Sequence, residues 1–335
     1  MVFYALKFSF FMPEIKTIGV LTAGGDAPGM NACIRAVTRV ARHHDMRVLG
    51  VEHGFTGLMA GDYTELIRSS VSNIIQRGGT ILKSARSPEF LTPEGRKKAF
   101  DSMLAAKMDG LVVIGGDGTA QAGAAFCAEY DIPVVGCPGT IDNDLFGTDY
   151  SIGFDTAVNT ALENIDKIRD TADAFERTFY IEVMGRTSGF IALDVGLSCG
   201  AEFIAIAENE GSLDELLKIF KNQRATKRSN MIIVAEGDEA GGAFKLAETV
   251  KEHTGVDYRV AILGHVQRGG SPTARDRILA SKLGAAAVEA LINGHSNIMT
   301  GEVNGKLTLT PLKEAADTKK PVDAILFELT KVLAQ

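Results

Sequence analysis

Short runs of apolar residues, four to six long and without strict alternation, recur along this chain with helix-patterned stretches between them. A strand covered by helices on both faces buries every side chain, so its sequence loses the in–out rhythm of a half-exposed strand. The runs at 17–22, 47–51, 111–114, 133–136, 179–183, 203–207, 231–235 and 260–263 have that character. Between them, Thr92-Pro93-Glu94 combines an N-cap, a first-turn proline and an acid at the positive end of a helix. Val158, Leu162, Ile165 and Ile168 fall at helical spacing within 155–168. The alternation predicts an α/β protein with mostly parallel sheets. There is no fixed-period repeat and no Pro/Ser-rich linker, so composition marks no domain boundary.

With 335 residues the chain is long enough for two α/β domains, and 45% apolar residues supply their cores. The formal charge of -7 argues against nucleic acid as the main partner. It leaves room for small anions held by a local arginine cluster. Cys33, Cys127, Cys137 and Cys199 form no CxxC pair and show no zinc spacing, so they read as buried thiols in a reducing, cytoplasmic setting. The opening MVFYALKFSFF is too short to span a membrane and lacks a cleavage site. Residues 1–14 therefore read as an extra leader outside the folded domains.

Three glycine-rich junctions fall where strands give way to helices, the place where ligands sit in such folds. They carry Gly24, Gly25 and Gly29; Gly115, Gly116, Asp117 and Gly118; and Gly185, Arg186 and Gly189. Glycine lets the backbone approach a phosphate, and the following helix aims free N–H groups at it. None is a Walker A loop, and none has the nicotinamide-binding fingerprint. Asp117 in the second turn fits a Mg²⁺ ligand placed between carboxylate and phosphate, or a helix cap.

After the run at 133–136, Asp142 and Asp144 stand two apart in a polar loop with Thr140. Asp142 can accept a proton from a hydroxyl during phosphoryl transfer, and Thr140 can hydrogen-bond the moving group. An Asx-turn is the bland alternative. Arg86, Arg177, Arg186, Arg259 and Arg268 recur at strand ends and in loops, with His265 beside Arg268. Guanidinium forks match phosphate geometry, so the set suits two phosphates, one transferred and one carried by the acceptor. Arg35, Arg39 and Arg42 share a helix stretch with no acid between 27 and 44, which reads as a solvated face or a second anion site.

At these residues the chain resembles the bacterial 6-phosphofructokinase family, from about Lys16 to near the C-terminus. The matching blocks are GGDAPGMN, QRGGT, KSAR, GGDGT, PGTIDND, MGR and GHVQRGGSP, in that order. The resemblance implies two three-layer α/β domains with the active site in the cleft between them. The larger, ATP-binding domain would take residues 15–153 plus 267–316, and the smaller, substrate-binding one 154–266 plus 317–335. By the same resemblance Asp142 is the general base on the sugar 1-hydroxyl, with Thr140, Asp144 and Arg186 beside it, and Asp117 holds Mg²⁺. Gly25, Arg86, Ser87, Gly116, Asp117, Gly118 and Thr119 would bind ATP. Thr140, Ile141, Asp142, Met184, Gly185, Arg186, Glu236, His265, Val266, Gln267 and Arg268 would bind fructose 6-phosphate. Arg177 and Arg259 would reach into a neighbouring subunit's site, which implies a homotetramer.

Family members that use ATP carry glycine where this chain has Gly118 and Gly139; those that use pyrophosphate typically carry Asp and Lys there. Both glycines favour ATP over the pyrophosphate-dependent alternative. Arg35, Arg39, Arg68, Arg169 and Glu202 match positions that bind ADP or phosphoenolpyruvate in regulated members, and Lys227 stands near an expected basic position that Ala225 fills here. The chain departs from that pattern at Ala225 and Asn73, and near the active site at Phe55 and Ser87. A non-catalytic nucleotide or sugar-phosphate sensor is the alternative from another class, and a retained Asp142 and Asp117 speak against it.

Overall fold

The computed structural model describes residues 15–208, 212–222, 229–237 and 241–333. The leader at 1–14 and Lys227, with its neighbours Ala225 and Arg228, lie outside them. Eleven strands are described: β1 Thr17–Thr22, β2 Arg47–Val51, β3 Tyr63–Glu65, β4 Gly110–Gly115, β5 Val134–Pro138, β6 Thr178–Val183, β7 Phe203–Ala205, β8 Asn230–Ala235, β9 Tyr258–Ile262, β10 Ile298–Val303 and β11 Lys306–Pro311. The helices are α1 Met30–His43, α2 Gly54–Ala60, α3 Pro93–Ala105, α4 Asp117–Tyr130, α5 Phe154–Phe175, α6 Phe190–Cys199, α7 Ser212–Asn222, α8 Gly242–Thr254, α9 Ala274–Ile292, α10 Leu312–Asp317 and α11 Ala324–Leu333. Among the described residues no helix is long and apolar enough to cross a membrane.

The strands form two sheets, ordered β11-β10-β5-β4-β1-β2-β3 and β7-β8-β6-β9. All pairs are parallel except β2 with β3 and β10 with β11. Alternate residues of one strand serve opposite faces, as the pleat requires. Val112 and Ile114 of β4 pack towards α1 and α9, while Leu111 and Val113 face Phe90, Met103 and Phe126. The smaller sheet does the same, sending Ile181 and Ile233 towards Ile165 of α5 and Ile191 of α6, and Tyr180 and Ile232 towards Leu216 and Leu246 of α7 and α8. One apolar cluster runs unbroken from β1 through α1, α9, α5 and α6 to β6, so the sheets share packing.

The eight expected strands all form, two of them with the bounds expected and the rest with ends displaced by at most two residues; the run at 203–207 stops at Ala205. Helix α3 starts as read, with the Thr92 hydroxyl accepting from the Gly95 N–H at 3.1 Å. Strands β3, β10 and β11 were not anticipated. β3 and β11 are antiparallel edge strands, and β10 lies between β11 and β5, antiparallel to the first and parallel to the second; none of the three is a continuous apolar run. The signal for β10 and β11 was present: Asn304 and Gly305 both adopt positive φ (51° and 73°), the two-residue hairpin turn that Asn-Gly favours.

Asp276 joins the starts of α5 and α9. It is 1% exposed, and its carboxylate accepts from the N–H groups of Gly153 (2.9 Å) and Thr156 (2.8 Å) and from the Thr156 hydroxyl. Burial pushes this carboxyl up, and those three donors offset only part of the rise. Asp276→Ala leaves buried donors unpaired, so unfolding in denaturant is expected to lose about 2–4 kcal/mol, and Asp276→Asn less. A variant as stable as the wild type would refute this role.

Candidate active site

Parallel strands bring their carboxyl ends to one edge, and here that edge gathers glycines and charges. Thr22 of β1 lies beside Ile114 of β4, and Gly115 beside Pro138 of β5. The segments that follow, Ala23-Gly24-Gly25, Gly116-Asp117-Gly118 and Gly139-Thr140-Ile141-Asp142, therefore emerge side by side. In the smaller sheet Val183 pairs with Ala235, and Glu182 with Ile262, so Met184, Glu236 and Leu263 follow on adjacent strands. Gly25 admits Arg268: a Cβ there would stand 2.5 Å from its guanidinium nitrogen, which donates to the Asp26 carbonyl at 3.0 Å.

Two adjoining cavities open between these edges. One, of about 410 Å³, is lined by Gly116, Asp117, Gly118, Thr119, Ser87 and Asp142 among others. The second, of about 670 Å³, is lined by Met184, Glu236, His265, Lys83 and Asp26 among others. Gly24, Gly25, Arg86, Arg186 and Arg268 border both. Three guanidiniums at the common wall suit two phosphate-bearing ligands meeting there.

Asp142 is 3% exposed. Its N–H donates to the Thr140 hydroxyl at 3.2 Å, and its carbonyl can accept from Ser188 at 3.0 Å. Among the described residues its Oδ1 has no hydrogen-bond partner. Burial pushes this carboxyl up to about 6, and nearby Asp144 adds to the rise, while Arg268 and Arg186 pull it down. An ionised carboxylate with one unengaged buried oxygen is what a proton acceptor requires. Burial also raises Asp144, helped by the charge of Asp117.

Arg186 adopts a left-handed φ of 57°, held by the Glu236 carboxylate accepting its N–H at 3.0 Å, and its guanidinium donates to Asp117 at 3.2 Å. Asp117 lies in the first turn of α4, half-exposed to the first cavity. A Cβ on Gly118 would meet nothing within 4 Å. An oxygen ligand facing open space at a helix N-terminus fits a Mg²⁺–phosphate group. Gly139 differs: a Cβ there would stand 2.8 Å from Ile114 Cγ2.

Three expected substrate contacts are placed otherwise. Gln267 is fully buried, with its side-chain Oε1 accepting the Met184 N–H at 2.9 Å, so it supports a wall residue. Ile141 is fully buried and Val266 is 55% exposed; neither lines either of these two cavities. Arg177 and Arg259 stand at the opposite end of the smaller sheet, Arg177 over the Phe175 ring at 4.3 Å and Arg259 donating to the Tyr258 carbonyl at 2.8 Å. Neither lines these cavities. Arg35 and Arg39 lie on α1, where burial and Arg39 lower the Arg35 pKa. Arg42 is paired after all, with Glu65 of β3 at 2.6 Å; an acid outside the helix supplies what the helix lacks. Arg68 is exposed, Arg169 donates to the Cys199 carbonyl, and Glu202 accepts the Met231 N–H.

Sequence reading missed Ser188 and Lys320. Ser188 had a signal, lying in the third glycine-rich turn. Lys320 had none: it is held against the Asp142 loop by tertiary packing alone.

The raised carboxyl gives a stability prediction. Protonated Asp142 is favoured in the native state, so its contribution is harmless below about pH 4 and becomes a cost as pH rises through about 6. Asp142→Asn should therefore be more stable than wild type at about pH 8, by roughly 2–3 kcal/mol, with the gain fading towards about pH 4. Thermal unfolding across that range checks it; a gain independent of pH would refute it.

Comparison with known proteins agrees with this geometry. The Phosphofructokinase family profile matches residues 17–291. The chain is 57% identical to ATP-dependent 6-phosphofructokinase 1 of Thermus thermophilus over 321 residues, covering 96% of this chain and 100% of that one. It is 51% identical to ATP-dependent 6-phosphofructokinase 2 of Bacteroides thetaiotaomicron over 325 residues, with 96% and 100% covered. Its fold matches phosphofructokinase from Saccharomyces cerevisiae with a TM-score of 0.86 at 34% identity, over 95% of this chain and 48% of that longer one. A pyrophosphate-dependent phosphofructokinase from Marinobacter aquaeolei shares the fold with a TM-score of 0.81 at 24% identity, over 92% and 86% of the two chains. The chain belongs to the phosphofructokinase family.

Proposed function

We propose that this protein transfers the γ-phosphate of ATP to the 1-hydroxyl of fructose 6-phosphate, giving fructose 1,6-bisphosphate in glycolysis. The observation that carries this reading is the unengaged Oδ1 of buried Asp142, which lines the first of two adjoining cavities, both bordered by Arg86, Arg186 and Arg268.

Asp142 accepts the hydroxyl proton as the oxygen attacks, since a carboxyl poised at about 6 is ionised at neutral pH yet basic enough to take it. Arg186 and Arg268 stabilise charge on the moving phosphoryl, and Thr140 hydrogen-bonds it. The glycine turns at Gly25 and Gly116, with Arg86 and Ser87, hold the nucleotide. Met184, Glu236 and His265 hold the sugar phosphate. Asp117 would hold Mg²⁺, which supplies positive charge to the phosphate oxygens. Asp144 keeps negative charge beside the base and so raises its basicity.

The two sheets form the cores of two domains, 15–153 plus 267–316 and 154–266 plus 317–335. Arg177 and Arg259, remote from their own chain's cavities, serve a neighbouring subunit in a homotetramer. An effector such as ADP or phosphoenolpyruvate binds near Arg35, Arg39, Arg68 and Arg169. The enzyme works in the cytoplasm.

A donor assay tests the reading. Purified protein should form fructose 1,6-bisphosphate from ATP; activity with pyrophosphate alone would overturn it. Asp142→Ala should lower kcat by at least about 10³-fold while leaving the fold intact. Gly118→Asp adds a Cβ that meets nothing within 4 Å and places an acid in a helix first turn, so it should fold normally. Repulsion from the nucleotide phosphates should raise its KM for ATP by about tenfold or more, and an unchanged KM would contradict the donor argument.

A further inference from the structure

The chain passes between the two sheets three times, and the third passage carries a half-buried cation. Helix α10 packs on α4 and the β10–β11 hairpin, whereas α11 packs on α6 beside the smaller sheet. Lys320 lies in the segment joining them. Its Nζ donates to the Asp149 carbonyl at 2.8 Å and stands 5.0 Å from the ring of Phe190, the first residue of α6.

That carbonyl belongs to the catalytic loop's internal frame. It also accepts from the Asn143 side-chain amide at 3.2 Å, and the Asn143 side-chain oxygen accepts the Ser151 N–H at 2.8 Å. Asn143 is the residue between Asp142 and Asp144, 4% exposed and in left-handed conformation with a φ of 55°. The path from Lys320 to the base is thus two hydrogen bonds and one peptide. On the other side, the Ser188 hydroxyl just before α6 lies 3.0 Å from the Asp142 carbonyl.

The charges around Lys320 come from several elements. Asp144 and Asp149 face it from the loop and Asp194 from α6. Arg275 of α9, stacked on Tyr150, and Asp155 and Asp323 bear on Asp194. Lys320 in turn offsets the rise in the Asp144 carboxyl. One ammonium therefore balances carboxylates from both sides of the cleft.

We propose that Lys320 is a positioning residue for phosphoryl transfer, its ammonium tying the Asp142–Asp144 loop to the start of α6 through the Asp149 carbonyl and balancing the charge of Asp144. The proposal rests on the kinase reading above. Burial lowers the Lys320 pKa to about 8, with Asp149, Asp144 and Asp194 opposing, so the tie should loosen in mild alkali.

The test is kcat from about pH 6.5 to 10 for wild type, Lys320→Arg and Lys320→Gln, with Mg-ATP and fructose 6-phosphate saturating, beside each protein's thermal midpoint. Wild type should lose turnover with a limb near about pH 8, and Lys320→Arg, whose guanidinium stays charged, should carry that limb at least about one pH unit higher. Lys320→Gln should lose about tenfold or more in kcat at neutral pH with KM for ATP within about threefold, and show no such limb. A limb unchanged in Lys320→Arg, or a Lys320→Gln with wild-type kcat, overturns the proposal. If Lys320→Gln does not fold, the Lys320→Arg limb decides; if neither folds, a wild type with no alkaline limb overturns it and one with a limb near about pH 8 upholds it. A wild type with no transfer activity would instead overturn the kinase reading itself.

Discussion

A carboxylate held away from water beside two guanidiniums is the constraint around which this molecule is arranged. Asp142 is buried deeply enough that its ionised form is disfavoured, yet Arg186 and Arg268 keep it accessible to ionisation near neutrality. Neither effect alone would serve. Burial without arginines gives a neutral acid, and arginines without burial give a weak base. The balance between them sets a proton acceptor at about 6.

That balance depends on backbone geometry that side chains would obstruct. Arg268 reaches the site because Gly25 has no Cβ to block its guanidinium. Gly185 at a φ of 144° and Arg186 at 57° turn the chain sharply after β6, and the Glu236 carboxylate fixes the turn by accepting the Arg186 N–H. The parallel sheets supply the rest, because their carboxyl ends converge and the helices that follow start at the cleft. Asp276 and Lys320 secure the passages between sheets, so the elements that carry the guanidiniums and the base share a common frame.

Much of this was legible in the sequence. The eight expected strands announced themselves through unbroken apolar runs, although β9 is a partly exposed edge, and the glycine turns and Asp142 loop lay at the strand ends where the structure puts them. What escaped was tertiary. Strand β10 and edge strand β11 carry no continuous apolar run and so fell outside the pattern of the other strands, although Asn304-Gly305 marked their turn. Gln267 lies in a matching block but is buried, and only the fold shows that it supports Met184. Arg42 looked unpaired because its partner, Glu65, is on a separate strand. Lys320 sits in an unremarkable lysine-proline stretch, and nothing local shows that it points beneath the catalytic loop.

Carbon-13 NMR of protein labelled at the aspartate carboxyls, titrated from about pH 4 to 8 beside Asp142→Asn, tests the central claim most directly. The account predicts a resonance with a midpoint of about 6 in the wild type that is absent from the variant. A variant that retains every such resonance would contradict it, since the group titrating at about 6 would then be another carboxyl.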